Sequence, residues 1–181
     1  KHLGWVAYVA GKRETRRLMG DYILKQDDVD KQVFHEDASL TCNWHFDLHF
    51  TDSINSVHFP GNEFKAETKH NPIYPYAVPY RCLYSRNVNN LFMAGRNISV
   101  THVTLGSTRL MRTIGMMGEV VGMAASICKK HNTLPRGVYQ HYLGELKELM
   151  KKGLAKDIDL PDNQHFNEGG SLSKPKDIIF K

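Results

Sequence analysis

A short apolar run, Asn90 to Asn97 with the sequence NLFMAGRN, ends at a glycine and then turns charged. Such a run between turn residues predicts a strand buried on both faces, as in a parallel sheet. Gly95 stands at the carboxyl end of this strand, where α/β proteins place a ligand. The residues that follow, Ile98 to Gly106, are predicted to form a loop.

The strongest helical pattern extends from Thr108 to His131, where apolar residues occur nearly all round the helix. This distribution predicts a central helix, with Ser107 as its N-cap and Asn132 after a basic last turn. Three glycines share one face of it: Gly115, Gly118 and Gly122. Glycine is unfavourable inside a helix, so this face predicts close approach of another backbone or a ligand.

A second, amphipathic helix is predicted from Pro135 to Lys152, with Gly153 as its stop. Gln26 to Lys31 is acidic and predicts a short helical turn. The pattern of Leu3 to Val9 predicts a strand. Because the sequence begins without Met and close to this strand, we expect further residues before Lys1. Residues 154–181 are polar and are expected to form a tail or an arm.

The segment TCNWHFDLHF alternates apolar and polar residues from Trp44 to Phe50, which predicts one strand with a polar face. From Thr51 to Glu67 turn residues dominate. Asn71 to Arg81 carries three prolines and is expected to be extended across another surface.

Composition excludes several classes of function. The chain has 181 residues, is 41% hydrophobic and carries a net charge of +5 with scattered cations, so no nucleic-acid partner is indicated. Local positive charge is more consistent with binding of an anionic ligand, such as a cofactor phosphate, than with binding of nucleic acid. No apolar run reaches the length of a membrane span. Its three cysteines show no CxxC spacing and are expected to be free thiols in or near the core.

One long segment identifies a family resemblance. Asn90 to Ala125, NLFMAGRNISVTHVTLGSTRLMRTIGMMGEVVGMAA, resembles the C-terminal flavin-binding segment of the bacterial FAD-dependent oxidoreductases. Further landmarks of that family follow the same order: GKRETRRLMGDYIL (Gly11 to Leu24), DLH (Asp47 to His49) and VPYR (Val78 to Arg81). The resemblance covers roughly Leu3 to Gly153.

The resemblance implies an α/β chain that is part of a glutathione-reductase-type FAD-binding fold, with the last buried strand and the long helix. A β-rich portion of the substrate domain would occupy residues 1–80, and the C-terminal part of the FAD-binding domain residues 81–153. FAD is the implied cofactor.

The same resemblance assigns cofactor contacts. Gly95, Arg96 and Asn97 would approach the ribityl chain, although many related flavoproteins have an acidic residue where this chain has Arg96. The backbone amides of three residues near the start of the long helix would face the flavin pyrimidine edge: Thr108, Leu110 and Met111.

The chain departs from the family in one large respect. The family holds the FAD pyrophosphate with a G-x-G-x-x-G fingerprint, and no G-x-G occurs among the 14 glycines here. We therefore expect the N-terminal dinucleotide-binding portion to lie elsewhere, in the same or in another chain.

Two groups of residues are candidates for the chemistry. His102 is expected near the flavin, where it would take a proton from a substrate hydroxyl, or else it is a loop histidine bonded to backbone. His45, Asp47 and His49 share a strand face, which would line a substrate cavity, with His49 as a second catalytic candidate, or face solvent. Because His45 and His49 lie about 13 Å apart on a strand, we predict no metal site.

The guanidinium of Arg81 would donate hydrogen bonds to a substrate group or to the cofactor, or it would form a salt bridge. The resulting hypothesis is hydride transfer between a small, sugar-like substrate and flavin. The alternative is a non-catalytic fragment or subunit that uses the fold as an interaction surface. The sequence does not indicate a compartment.

Overall fold

The computed structural model describes residues 4–5, 16–49, 68–71 and 73–153. Three predicted segments therefore lie wholly or mostly outside the described residues: the strand at Leu3–Val9, the turn-rich Thr51–Glu67 segment and the tail at 154–181.

Four short strands form two separate antiparallel ribbons in the described part of the chain. Strand β1 (Ala38–Cys42) pairs with β4 (Tyr76–Pro79), and β2 (Phe46–His49) pairs with β3 (Thr68–Asn71). The strand predicted from Trp44 to Phe50 is confirmed over Phe46–His49, and it begins two residues later than the alternation indicates. The chain leaves the first ribbon after Cys42 and enters the second at Phe46, because β1 and β2 pair with different partner strands.

The buried parallel strand predicted at Asn90–Asn97 is also wrong for the described residues. Its only ladder contact is an isolated antiparallel bridge between Tyr84 and Phe92. Met93 is fully buried but Ala94 is exposed, so the run is not covered on both faces. The main-chain amide of Met93 instead donates to the carbonyl of Leu83 at 2.7 Å, across the loop that joins them.

The described ranges contain five α-helices, of which the first precedes the strands: α1 (Gln26–Asp30), α2 (His102–Thr108), α3 (Met111–His131), α4 (Pro135–His141) and α5 (Leu143–Lys152). A short 3-10 helix spans Tyr80–Cys82. The short helical turn predicted from Gln26 is confirmed. The loop predicted up to Gly106 is wrong, since most of that segment's second half is α2. Likewise Ser107 is not the cap of the long helix, which begins at Met111 and makes an angle of 92° with α2.

The predicted helix ends are confirmed, whereas the predicted continuity of the second helix is not. Asn132 ends α3 in the left-handed conformation at φ 48°, after the basic turn of Lys129 to His131. Gly153 ends α5 at φ 70°. Between α4 and α5 the helix kinks at Tyr142, whose ring stacks on His131 with 4.1 Å between centroids.

One core joins these elements. The buried face of α3 packs on β1, α4 and α5 and contributes Met117, Val120 and Ala124. The prediction that α3 is apolar and buried all round is wrong, because Met111 is 91% exposed. The three cysteines are free, as predicted, with Cys42 and Cys82 buried in the core.

Among the described residues, no single helix is long and apolar enough to cross a membrane; α2 and α3 reach that length only as a sharply bent pair.

Candidate functional site

Three sequence landmarks converge on one stretch of backbone, residues 97–101. The amide of Leu18 donates to the carbonyl of Asn97 at 2.9 Å, and the amide of Leu24 donates to that of Ser99 at 3.1 Å. On the other side, the amide of Ser99 donates to Cys82 at 3.1 Å. The segments around GDYIL, VPYR and AGRN are therefore neighbours in space.

The close approach of these segments requires a glycine. A Cβ at Gly20 would lie 2.3 Å from the carbonyl oxygen of Arg81 and 3.0 Å from Cβ of Ser99. Backbone atoms cannot yield at such distances, so only glycine lets the 16–24 segment run along residues 81–84 and 97–101.

The turn at Gly95–Asn97 leads directly into this hydrogen-bonded backbone and is exposed to solvent. Gly95 has φ +153°, a conformation that L side chains rarely adopt, and Arg96 and Asn97 are exposed. The turn is therefore accessible to a ligand while its carbonyl and the backbone behind it are hydrogen-bonded.

A buried polar cluster holds the junction between α2 and α3. The hydroxyl of Ser107 donates to the carbonyl of Thr104 at 3.1 Å, so the Tyr76 hydroxyl donates to Ser107 in their short hydrogen bond. The Cys42 thiol donates to the Ser107 carbonyl at 3.0 Å. Burial raises the pKa values of Cys42 and Tyr76, which keeps both groups protonated as donors.

The start of α3 is open. Leu110, the N-cap residue, is extended at ψ 148°, and among the described residues no side chain caps the helix there. Met111 and Arg112 are exposed whereas Thr113 is buried, so the helix begins at the surface, where its unpaired amides carry partial positive charge. Thr108 differs from the other two predicted cofactor residues, because it ends α2 and its buried hydroxyl donates to the carbonyl of Thr104 at 3.2 Å.

Strand β2 packs directly against α2. A Cβ at Gly106 would lie 2.8 Å from the carbonyl oxygen of Asp47 and 3.2 Å from its nitrogen. Just after α2, Nη2 of Arg109 donates to the Asp47 carbonyl at 3.2 Å and to its carboxylate at 3.1 Å. The contact joins the predicted polar strand to the predicted cofactor segment.

His102 lies on the same side of α2 as this contact. It is the exposed first residue of the helix, and positions 102, 106 and 109 follow the spacing of one helical face. His45 precedes β2 and contacts the ring of Trp44 with 4.4 Å between centroids. The side chain of His49 is outside the described part of the structure.

Arg81 is engaged by protein groups. Its guanidinium donates twice to the fully buried Asp37 carboxylate, at 2.9 Å in each case, and lies over the rings of Tyr22 and Tyr139. The Asp37 hydrogen bonds hold the pKa of Arg81 above its usual value. The salt-bridge alternative is thus observed, and a cofactor contact by Arg81 stays a prediction.

The glycine face of α3 is uncovered within the described residues. Gly115, Gly118 and Gly122 are exposed, and a Cβ at any of them would meet nothing within 4 Å. The close approach predicted for this face is therefore not made by any described segment.

Comparison with protein families identifies the chain. The model of the family described as FAD dependent oxidoreductase matches residues 1–151. The chain belongs to this family. FAD is therefore its cofactor, and oxidation–reduction with flavin is its class of chemistry. No curated protein and no solved structure matches the chain.

The open α3 start and the exposed Gly95–Asn97 turn fit the FAD of this family, since both offer accessible backbone to an anionic ring and a polar chain. In the described residues, no group of three His, Cys, Asp or Glu side chains is placed to hold a metal ion.

Sequence reasoning missed Arg109 and the Cys42–Tyr76–Ser107 cluster. The spacing of His102, Gly106 and Arg109 would have indicated one helical face, had α2 been predicted as a helix. No local signal marks the cluster, because its members come from three separate elements.

Proposed function

We propose that this chain is the C-terminal part of an FAD-dependent oxidoreductase that transfers hydride between a small hydroxylated substrate and flavin. The observation that carries the proposal is the Arg109–Asp47 contact, which joins the polar strand β2 to the α2–α3 junction. In the proposal, the fold is of the glutathione-reductase type and β2 belongs to its substrate domain.

Each group of residues has a role in this proposal. Gly95, Arg96 and Asn97 hold the ribityl chain, and the amides of Leu110 and Met111 face the pyrimidine edge, where negative charge is stabilised. When bound, FAD accepts a hydride, which is two electrons with one proton, from a substrate C–H bond.

Residues of α2 and β2 handle the substrate. His102 accepts at a ring nitrogen the proton of the hydroxyl on the reacting carbon, so the substrate leaves as a carbonyl compound. His45 and Asp47, with His49 as the further candidate, line the polar side of the pocket. Such a set of hydrogen-bonding groups suits a sugar-like polyol.

We propose that the dinucleotide-binding portion, expected in the same or in another chain, docks on the glycine face of α3. An exposed helix face without side chains allows another backbone to approach closely, and this face carries Gly115, Gly118 and Gly122. The absent G-x-G fingerprint supports an alternative, in which the chain is a non-catalytic fragment or subunit that uses this face for interaction.

A visible absorption spectrum and an intact mass of the protein expressed from its complete gene test the proposal. We expect the two flavin bands, together with a longer chain or a copurified partner, and bleaching of the bands by a sugar or polyol substrate. A protein that stays colourless after added FAD would support the alternative and overturn the enzyme proposal.

A further inference from the structure

We infer that Arg109 and Asp47 are positioning residues that fix the start of α3, and with it the flavin, relative to the substrate strand β2. The inference rests on the proposed function and adds to it residues whose role is to orient other groups. Neither side chain needs to touch the substrate for this role.

The contact fixes the backbone as well as a charge. Arg109 reaches both the carbonyl and the carboxylate of Asp47 with the same nitrogen, at 3.2 Å and 3.1 Å. One turn earlier, Gly106 lies against the Asp47 backbone. Strand β2 is thus held at two points along α2, which sets its register as well as its distance.

The position of Arg109 in the chain lets this contact control where α3 begins. Arg109 lies between the last residue of α2, Thr108, and the N-cap of α3, Leu110, where the two helices turn through 92°. Because the first amides of α3 follow at once, a shift of Arg109 moves the donors that face the flavin.

The pair is buried well enough to be rigid. The side chains of Arg109 and Asp47 are only 10% and 19% exposed. At this burial solvent screens the pair weakly, and the Tyr76–Ser107 hydrogen bond is a second buried contact at the same junction. Two contacts hold the angle between α2 and α3 more firmly than one.

The test measures the flavin reduction potential of the holoprotein, expressed from its complete gene, against reference dyes. Arg109→Met should leave flavin bound and shift its potential to more negative values, because misplaced amides stabilise the reduced, anionic flavin less. We expect about a tenfold change in the ratio of oxidised to reduced flavin at a fixed dye potential, which is about 30 mV for two electrons. Arg109→Lys keeps a donor and the charge and should restore the ratio to within about threefold.

Asp47→Asn separates positioning from direct electrostatics. Asp47→Asn removes one negative charge near the flavin, so a direct effect of charge would make the potential more positive. A positioning role predicts a shift of the potential to more negative values, as for Arg109→Met. It also predicts no further shift in the double variant, because both substitutions break the same Arg109–Asp47 contact. Should Arg109→Met fail to fold, Asp47→Asn carries the test alone.

Arg136→Met is the matched control. Arg136 forms a two-pronged pair with Asp21 at 2.7 Å, and neither residue belongs to α2, α3 or β2. Its loss should lower the melting temperature and leave the potential unchanged. Wild-type potentials in the Arg109 and Asp47 variants, or an equal shift in Arg136→Met, would overturn the inference alone. A wild-type protein without flavin would overturn the proposed function and this inference together.

Discussion

Arg81 and Asp37 are joined by three hydrogen bonds, two from the guanidinium and one from the Arg81 main-chain amide, each of 2.9 Å. The carboxylate is fully buried, and the guanidinium lies over two tyrosine rings. This pair anchors the end of strand β4 to the start of β1 and makes Arg81 part of the framework beneath the site.

We therefore expect Arg81→Met to lower the free energy of unfolding by roughly 3 kcal/mol, because it leaves a buried carboxylate without its counter-ion. Denaturant titration of the purified protein measures this. The control is Lys31→Gln, which breaks an exposed ion pair with Asp27 and should leave the unfolding midpoint close to that of the wild type. A variant with wild-type stability and weaker FAD binding would instead support the predicted cofactor contact by Arg81.

Gly106→Ala should separate strand β2 from α2. The added methyl group would meet the backbone of Asp47 at 2.8 Å, and backbone atoms cannot yield as a side chain would. We expect a loss of about 1–3 kcal/mol in the free energy of unfolding. Gly144→Ala, which meets nothing within 4 Å on α5, should be neutral or stabilising by up to about 1 kcal/mol. Equal stabilities of the two variants would contradict the packing of β2 against α2.

Gly118→Leu tests the proposed docking face of α3. Gly118 is exposed and a Cβ there would meet nothing within 4 Å in the described residues, so the fold of this part should persist. In the protein from the complete gene we expect flavin content or affinity to fall roughly tenfold, since overpacking at a contact costs about 1–3 kcal/mol. Gly144→Leu makes the same exchange at another open glycine and should leave flavin content unchanged. Full flavin content in Gly118→Leu would show that nothing docks there.

His35 makes stability depend on pH. Burial lowers its pKa below the ordinary value of 6.5, and its Nε2 is buried with no hydrogen-bond partner among the described residues. Below pH 6.5 the unfolded chain binds a proton that the folded protein resists, so the free energy of unfolding falls as the pH drops from 6.5 toward the lower folded pKa. Above 6.5 both states are neutral and this contribution is constant.

His35→Phe should remove that part of the pH dependence, because phenylalanine fills the same space beside Tyr22 and does not titrate. Unfolding midpoints measured at about pH 7.5 and pH 5.5 for both proteins give the comparison, since the unfolded pKa lies between these two values. The difference between the two midpoints should be smaller in the variant. Parallel curves for variant and wild type would mean that His35 does not contribute.

Local signals predicted the helix ends well. The basic turn before Asn132 and the position of Gly153 place the ends of α3 and α5, since capping depends on residues within one turn. The start of α3 was misplaced, because no proline or glycine marks the break at Arg109 and Leu110. There the hydroxyls of Ser107 and Thr108 both donate to the carbonyl of Thr104. The Ser107 hydroxyl also contacts the hydroxyl of Tyr76, which is distant in the sequence.

The sequence by itself determined the family and its cofactor, because a long run of residues around NLFMAGRN and TLGSTRLMRT carries them irrespective of the fold. Tertiary structure decided which groups meet. Tyr76 and Ser107 are 31 positions apart, Arg81 and Asp37 are 44 apart, and Arg109 and Asp47 are 62 apart. Periodicity and capping act over a few residues, whereas these pairs form only when β1 pairs with β4 and when β1, β2 and β4 come together with α2.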